Sequence, residues 1–171
     1  VAETRTNLVA KRIEIGANIA IVVAACLLIA LCTKSLLRRS PDSPQAIAVG
    51  ARLSLDNVTW QANRNVVLAI STTCHFCNES ASFYRDLVSE CRRRNVPTIA
   101  LLPQPVAESE SYLQERQILV DDVRQAQLPD VQIYATPTVL IVDRRGIVQR
   151  AWVGKLPPER ENEILSKLRQ P

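Results

Sequence analysis

At 171 residues the chain has room for one domain of about 100 to 150 residues plus a smaller segment. Its formal charge of +4 is unevenly placed: residues 1–40 hold Arg5, Lys11, Arg12, Lys34, Arg38 and Arg39 against Glu3 and Glu14, leaving fifteen basic and fifteen acidic side chains from residue 41 onward. A neutral main domain, with the excess charge flanking an apolar segment, argues against a basic groove with stacking aromatics, so no nucleic-acid partner is expected.

The apolar segment covers residues 15–37, unbroken from Ile19 to Cys32. Twenty-three helical residues rise about 34 Å, enough to cross a hydrocarbon layer of roughly 30 Å. Gly16 and Asn18 at one end, and Thr33, Lys34 and Ser35 at the other, suit the interfaces. The prediction is one N-terminal transmembrane anchor preceded by a flank, residues 1–14. A cleaved signal peptide fits less well, because no small-x-small site ends the apolar run before Lys34. Val23-Ala24-Ala25-Cys26 resembles a bacterial lipoprotein cleavage box, but Cys26 would then head an unusually apolar new terminus. Cys26 and Cys32 read more simply as apolar side chains in lipid. Three basic residues lie on each side of the segment, so charge does not choose the orientation.

Residues 38–48 read as a linker, with Pro41 and Pro44 and no periodicity, and residues 49–171 as the main domain. Residues 49–53 and 57–60 carry weak strand signals around a turn. Five branched or apolar residues, 66–70, predict a central strand buried on both faces.

Directly after that strand stands Ser71-Thr72-Thr73-Cys74-His75-Phe76-Cys77, at the start of a helical pattern. Two cysteines three apart at a helix N-terminus can close a disulfide, and the unpaired amides and dipole there stabilise a Cys74 thiolate. A strand feeding such a helix is the redox context for Cys-x-x-Cys. A zinc site needs two further ligands. The chain offers only His75, between the two cysteines, and the distant Cys26, Cys32 and Cys91, so no metal is expected.

The helix carries Phe76, Phe83, Leu87, Val88 and Cys91 at spacings close to one stripe and is expected to end near Arg94-Asn95. Cys91 reads as a small buried hydrophobe, and Arg92-Arg93-Arg94 as a solvated last turn. A second buried strand is expected at 98–102. After Pro103 and Pro105 come an exposed helix at 108–118 and a short one at 123–128. Thr136-Pro137 precedes a strand at 138–142, where a cis bond would turn the Thr136 backbone outward. Asp143-Arg144-Arg145-Gly146 makes a hairpin turn into 147–153, Gly154 closes that strand, and Pro157-Pro158 opens a terminal helix with Ile164, Leu165 and Leu168 on one face.

In this order of elements and motifs, over about residues 49–168, the chain resembles the thioredoxin superfamily, and within it the membrane-anchored TlpA-like thiol-disulfide oxidoreductases that include the cytochrome c maturation reductases. The resemblance rests on the strand before Cys74-His75-Phe76-Cys77, on Thr136-Pro137 in the cis-proline position, and on the Asp143-x-x-Gly146 hairpin ending at Gly154. It implies an α/β thioredoxin-like fold, a central mixed sheet flanked by helices, with Cys74 as the exposed nucleophile and Cys77 as the resolving thiol. Pro137 would border the disulfide in a substrate groove that includes His75, Phe76 and Thr136. The chain departs from the family pattern in three places. Thr73 stands where a tryptophan is usual, His75-Phe76 replaces Gly-Pro or Pro-Pro, and the positions that often carry an acid hold Leu68 and Ser80, with only Glu79 adjacent.

The expected activity is thiol-disulfide exchange with no cofactor beyond the Cys74-Cys77 disulfide: reduction of disulfides in extracytoplasmic proteins, with a membrane-bound thiol electron donor and the domain on the periplasmic or cell-surface side of a single-pass anchor. A protonated His75 would favour the Cys74 thiolate, whereas an exposed His75 would have little effect. The alternatives are a disulfide-forming oxidase, a peroxiredoxin-like thiol peroxidase, and a non-enzymatic membrane-tethered assembly factor. For the peroxidase, Val67 stands where a proline is expected four residues before Ser71. A copper carrier needs wider cysteine spacing and a distant histidine, and His75 is the chain's single histidine, which also argues against a hydrolase triad.

Overall fold

The computed structural model describes residues 47–55, 58–60 and 62–169. The chain divides between Asp42 and Ser43, and every described residue lies on the C-terminal side. The expected flank, the anchor at 15–37 and the linker as far as residue 46 lie outside the described residues, and no described helix is long and apolar enough to cross a membrane.

Five strands form one mixed sheet in the order β3-β2-β1-β4-β5. They are β1 (Asn65–Ala69), β2 (Thr98–Leu102), β3 (Asp122–Gln125), β4 (Thr138–Val142) and β5 (Val148–Val153). β1 runs parallel to β2 and antiparallel to β4, with Val67 opposite Ile99 on one side and Leu140 on the other. The three central strands are buried at every position, as their unbroken apolar runs require. Side chains alternate across the sheet. Val66 and Leu68 face one core with Ala100, Leu102, Val139 and Ile141; Val67 and Ala69 face the other with Ile99, Leu101, Leu140 and Val142.

Four helices pack into the first core: α1 (His75–Glu79), α2 (Ala81–Arg93), α3 (Val106–Glu115) and α4 (Pro158–Arg169). α2 contributes Phe83, Tyr84, Leu87, Val88 and Cys91, and α4 adds Ile164 and Leu168. Among the described residues the second face is covered by Ile47, Leu53 and a 3₁₀ turn at Leu128–Val131, with no α-helix on it. The mixed sheet and its helices form the expected α/β class, but the helices all share one face.

Four local expectations need correction. Residues 49–53 form no strand: Gly50 adopts φ +92°, a turn conformation, and only Arg52 bridges to Ile147. The redox helix is not continuous, because Ser80 at φ −90°, ψ 5° separates α1 from α2. Phe76 consequently leaves the buried stripe and is 52% exposed, while Tyr84 takes an interior place. The segment expected as a short helix at 123–128 is instead edge strand β3, whose parallel pairing with Ile99 to Leu102 supplies backbone partners that local propensity cannot anticipate. Finally, α3 starts two residues early and buries Ser109, Tyr112 and Leu113, so it is half interior rather than exposed.

The turn between β4 and β5 is fixed by Asp143, whose Oδ1 accepts from the amides of Arg145 at 2.8 Å and Ile147 at 3.0 Å. Gly146 sits there at φ +79° under Trp60. A Cβ on it would lie 2.7 Å from the indole Nε1, so glycine is required twice over. At the C-terminal end of α2 the Arg92-Arg93-Arg94 run is more than a solvated terminus. Arg93 and Arg94 both pair with the buried Glu90, and Arg169 of α4 approaches it at 3.7 Å. The Arg94 hydrogen bond is the main cause that holds the Glu90 carboxyl below its ordinary range.

Burial pushes the Cys91 thiol from 9.0 up to about 12. A raised thiol pKa means that the folded state holds its proton where the unfolded chain has lost it. Its contribution is therefore complete below pH 9 and declines as pH rises from 9 towards 12. Denaturant titrations of residues 43–171 should show stability falling across that window, and Cys91→Ala should flatten the fall while lowering stability at neutral pH by about 1 kcal/mol. An unchanged pH slope in Cys91→Ala would exclude this thiol as its source.

Candidate active site

β1 delivers its C-terminal end to the site. Ile70 still donates to Leu101 O at 3.0 Å, and after it Ser71 O accepts from Cys74 N at 3.2 Å, closing a tight turn that ends the sheet. Cys74 then takes the N-cap of α1 in extended conformation, and its Sγ accepts from Cys77 N at 3.2 Å. The sulfur thereby satisfies an amide that has no partner within the helix.

The two thiols are free and differ in surroundings. Cys74 is half-buried, whereas Cys77 is fully buried in the helical core. Burial is the main cause that pushes the Cys77 thiol up to about 12, and the hydrogen bond to Cys74 adds to it. One sulfur meets solvent and its partner is held protonated beneath it.

The loop before β4 closes the other side. Thr136-Pro137 is cis, and the Thr136 carbonyl accepts from Cys74 Sγ at 3.5 Å. Pro137 O in turn accepts from Gly154 N at 2.7 Å, and Thr138 Oγ1 donates to Ala135 O at 2.8 Å, so both flanks of the loop are fixed. Beside it lies a cleft of about 270 Å³ lined by Ser71, Pro103, Tyr134 and Thr136 among others. Tyr134 and Phe76 are both exposed, which surrounds the dithiol with apolar surface.

Of the residues singled out in the sequence, the structure joins Cys74, Cys77 and Thr136 through hydrogen bonds. His75 points elsewhere: its side chain is 78% exposed and its Nε2 lies 3.2 Å from Glu79 Oε1. Glu79 also binds Lys155 at 2.9 Å, and that hydrogen bond is the main cause that holds its carboxyl below the ordinary range. Leu68 and Ser80 are both buried in the interior, so neither position offers a titratable base to Cys77.

Sequence reasoning missed Gln104. From the β2–α3 loop its Nε2 donates to Ser71 Oγ at 3.0 Å and its Oε1 accepts from Thr72 N at 3.3 Å. Ser71 Oγ also lies 3.1 Å from Thr73 Oγ1, and Thr72 Oγ1 donates to Glu108 Oε1 at 2.8 Å. The three residues before Cys74 are thus tied to a loop thirty positions away. The available signal was Gln104 alone between Pro103 and Pro105, a polar side chain on a stiff hinge directly after a buried strand. Asn78 makes a second tie, accepting at Oδ1 from Tyr112 Oη and Arg116 Nε, each at 3.0 Å.

Sheet order, cis-proline loop and helix-capping cysteine together define a thioredoxin-like α/β domain carrying a dithiol at its helix N-terminus. Solved structures of this fold superpose on it. A protein described as the thiol:disulfide interchange protein DsbE of Chlorobium tepidum matches with TM-score 0.55 at 16% identity over 72% of this chain and 99% of its own. A thiol-disulfide isomerase of Corynebacterium glutamicum gives 0.53 at 15% over 76% and 98%, and StoA of Bacillus subtilis 0.51 at 11% over 72% and 98%. No family model and no curated protein matches the chain.

The buried Cys77 sets a kinetic expectation. Its attack requires the thiolate, whose fraction rises about tenfold per pH unit below its pKa. Release of a model thiol from the Cys74 mixed disulfide should therefore accelerate with pH between 6 and 9 with a logarithmic slope near one. Cys77→Ser should halt at that mixed disulfide, whereas Cys74→Ser should form none, as read by intact mass after quenching. A stable adduct on Cys77 in the Cys74→Ser protein would reverse the two roles.

Proposed function

We propose that the chain is a thiol-disulfide oxidoreductase that reduces disulfides of extracytoplasmic proteins. The observation that carries the reading is the contrast between Cys74, capping α1 at the surface, and Cys77, buried behind it with its proton held. The Cys74 thiolate attacks one sulfur of the partner disulfide, forming a mixed disulfide and releasing the other sulfur as thiolate. Cys77 then loses its proton and attacks the Cys74 sulfur, freeing the second partner thiolate and leaving the Cys74-Cys77 disulfide. Two electrons pass from the dithiol to the partner, so a thiol donor must restore the pair. A membrane-bound donor suits a chain whose residues 15–37 serve as its anchor, with the domain on the extracytoplasmic side.

Substrate contact falls to the surface around Cys74. Thr136 presents its carbonyl beside the sulfur, and the cis-Pro137 loop and the cleft at Tyr134 extend that surface on one side, as His75 and Phe76 do on the other. His75 Nε2 lies 3.2 Å from Glu79 Oε1, so the imidazole is directed at a carboxylate rather than at the sulfur. No cofactor is needed beyond the disulfide itself.

Equilibration of the full chain in detergent with thiol buffers, read by mass spectrometry of the peptide that holds Cys74 and Cys77, gives its potential. Reductants of this fold lie near −270 mV and strong oxidants near −120 mV, a gap of about 7 kcal/mol for two electrons. The expected value lies in the reducing half, with insulin-type disulfides reduced by the wild type and not by the Cys74→Ser, Cys77→Ser protein. A value near −120 mV with rapid oxidation of reduced peptides would assign the opposite direction. Full biological activity of the double variant would replace catalysis with an assembly role.

A further inference from the structure

The charges from residue 41 onward sum to zero, but the fold separates them. β1 runs towards Cys74, and its antiparallel pairing with β4 sets Asn65 beside Val142, so the 143–146 turn lies at the end of the sheet opposite Cys74. Arg64, directly before β1, donates to the carbonyls of Lys167 at 3.1 Å and Leu168 at 3.4 Å, which brings the end of α4 to the same pole. Arg94 donates to Arg169 O at 3.3 Å and adds the end of α2. In that pole Arg64, Arg145, Arg150 and Lys167 line an open cleft of about 500 Å³ with Asp143. Arg52 and Arg144 flank a second cleft beside it.

Among the described residues the carboxylates at this pole are each already engaged. Glu90 is shared by Arg93, Arg94 and Arg169. Asp143 is occupied by the turn amides and Arg145, Glu163 faces Lys167 and Arg160, and Asp122 pairs with Arg124. Asp121 is taken up by Thr98. Among the described residues Arg52, Arg144 and Arg150 pair with no carboxylate, and all three are exposed. Acids lie towards the other end: Glu79, Glu108 and Glu115 near α1, and Glu159 and Glu161 in the first turn of α4, against Lys155, Arg116 and Arg160.

The chain also enters the domain at the basic pole. Gly50 N donates to Val148 O and Leu53 N to Gly146 O, each at 2.8 Å. Only residues 38–46, which include Arg38 and Arg39, separate the apolar segment from Ile47. Nine residues reach at most about 30 Å. With residues 15–37 as an anchor, that tether holds the basic pole at high effective concentration near the headgroups, where attraction acts within a Debye length of about 8 Å.

We propose that the pole formed by Arg52, Arg144, Arg145, Arg150 and Lys167 docks on the anionic lipid headgroups of the bilayer, turning Cys74 at the far end towards the aqueous phase. The proposal rests on the anchor reading. A bilayer fits better than a nucleic acid, since the one tryptophan at this pole, Trp60, lies against Gly146 rather than open for base stacking.

The full chain is placed in nanodiscs of phosphatidylcholine alone or with phosphatidylglycerol, and amide exchange is followed in the 143–147 turn and around Cys74. Slower exchange at the turn is expected only with the anionic lipid, and it should vanish in high salt and in an Arg144→Glu, Arg145→Glu variant. Each basic side chain near such a surface is worth about fivefold in binding, so the double reversal should weaken docking more than about tenfold. Alkylation of Cys74 should proceed at the same rate in the variant, which also reports that it folds. Equal turn exchange in the two lipids would overturn the proposal, as would equal protection by soluble heparin in phosphatidylcholine discs. If the chain fails to enter discs, the anchor reading fails. Docking is then decided by flotation of the chain with preformed vesicles of the two compositions: salt-sensitive flotation with the anionic vesicles alone supports it, and no flotation overturns it.

Discussion

Burial of β1 on both faces is the constraint on which the rest depends. Val66 and Leu68 belong to one core and Val67 and Ala69 to the other, and the ladders to β2 and β4 hold the strand between them, so withdrawing it would strip both cores at once. A fully buried Leu or Val contributes about 1.5 to 3 kcal/mol, so losing these four side chains from the cores would cost a large part of the stability of an ordinary domain. The strand therefore fixes where Ser71 leaves the sheet, and with it the start of α1. Cys74 owes its position to hydrophobic residues that take no part in its chemistry.

The same geometry produces the contrast between the two sulfurs. A helix that begins at the C-terminal end of a central strand and packs back onto the sheet exposes its N-cap and buries the next inward position three residues on. Cys74 and Cys77 occupy those two places. The first accepts from the Cys77 amide at the surface, and desolvation keeps the proton on the second. Once Cys74 enters a mixed disulfide, its negative charge and its hydrogen bond to Cys77 no longer hold that proton, leaving burial as the main obstacle to resolution.

Elements defined by continuous pattern were legible in the sequence, and those defined by partners were not. Residues 66–70 and 98–102 announce buried strands by composition alone, and Pro137, Gly146 and Pro158 mark their turns through backbone chemistry. Val123 and its polar neighbours have no strong preference of their own, so β3 does not announce itself in the sequence; its conformation comes from the exposed edge of β2. The break at Ser80 has no local signal, since no residue in the motif is a helix breaker. In the site, the cysteine pair and the cis-proline loop were visible as motifs. Gln104 was not, because its role exists only when the β2–α3 loop lies against Thr72.

Charge carries the same lesson at a larger scale. Summed along the chain, fifteen basic and fifteen acidic side chains cancel and suggest an electrically featureless domain. Folding sorts them by where elements end. α2 and α4 both finish at the pole opposite Cys74, and helix C-termini attract basic residues to offset their carbonyl ends, as Arg92, Arg93, Lys167 and Arg169 do here. The acidic first turn of α4 falls at the other pole by the same rule. Local helix electrostatics, repeated on helices that point the same way, thus yields a domain with opposed charged ends, and the 143–146 turn adds Arg144 and Arg145 to the end that the dipoles had already made basic. Net charge is blind to that arrangement, because it discards the direction in which each helix runs.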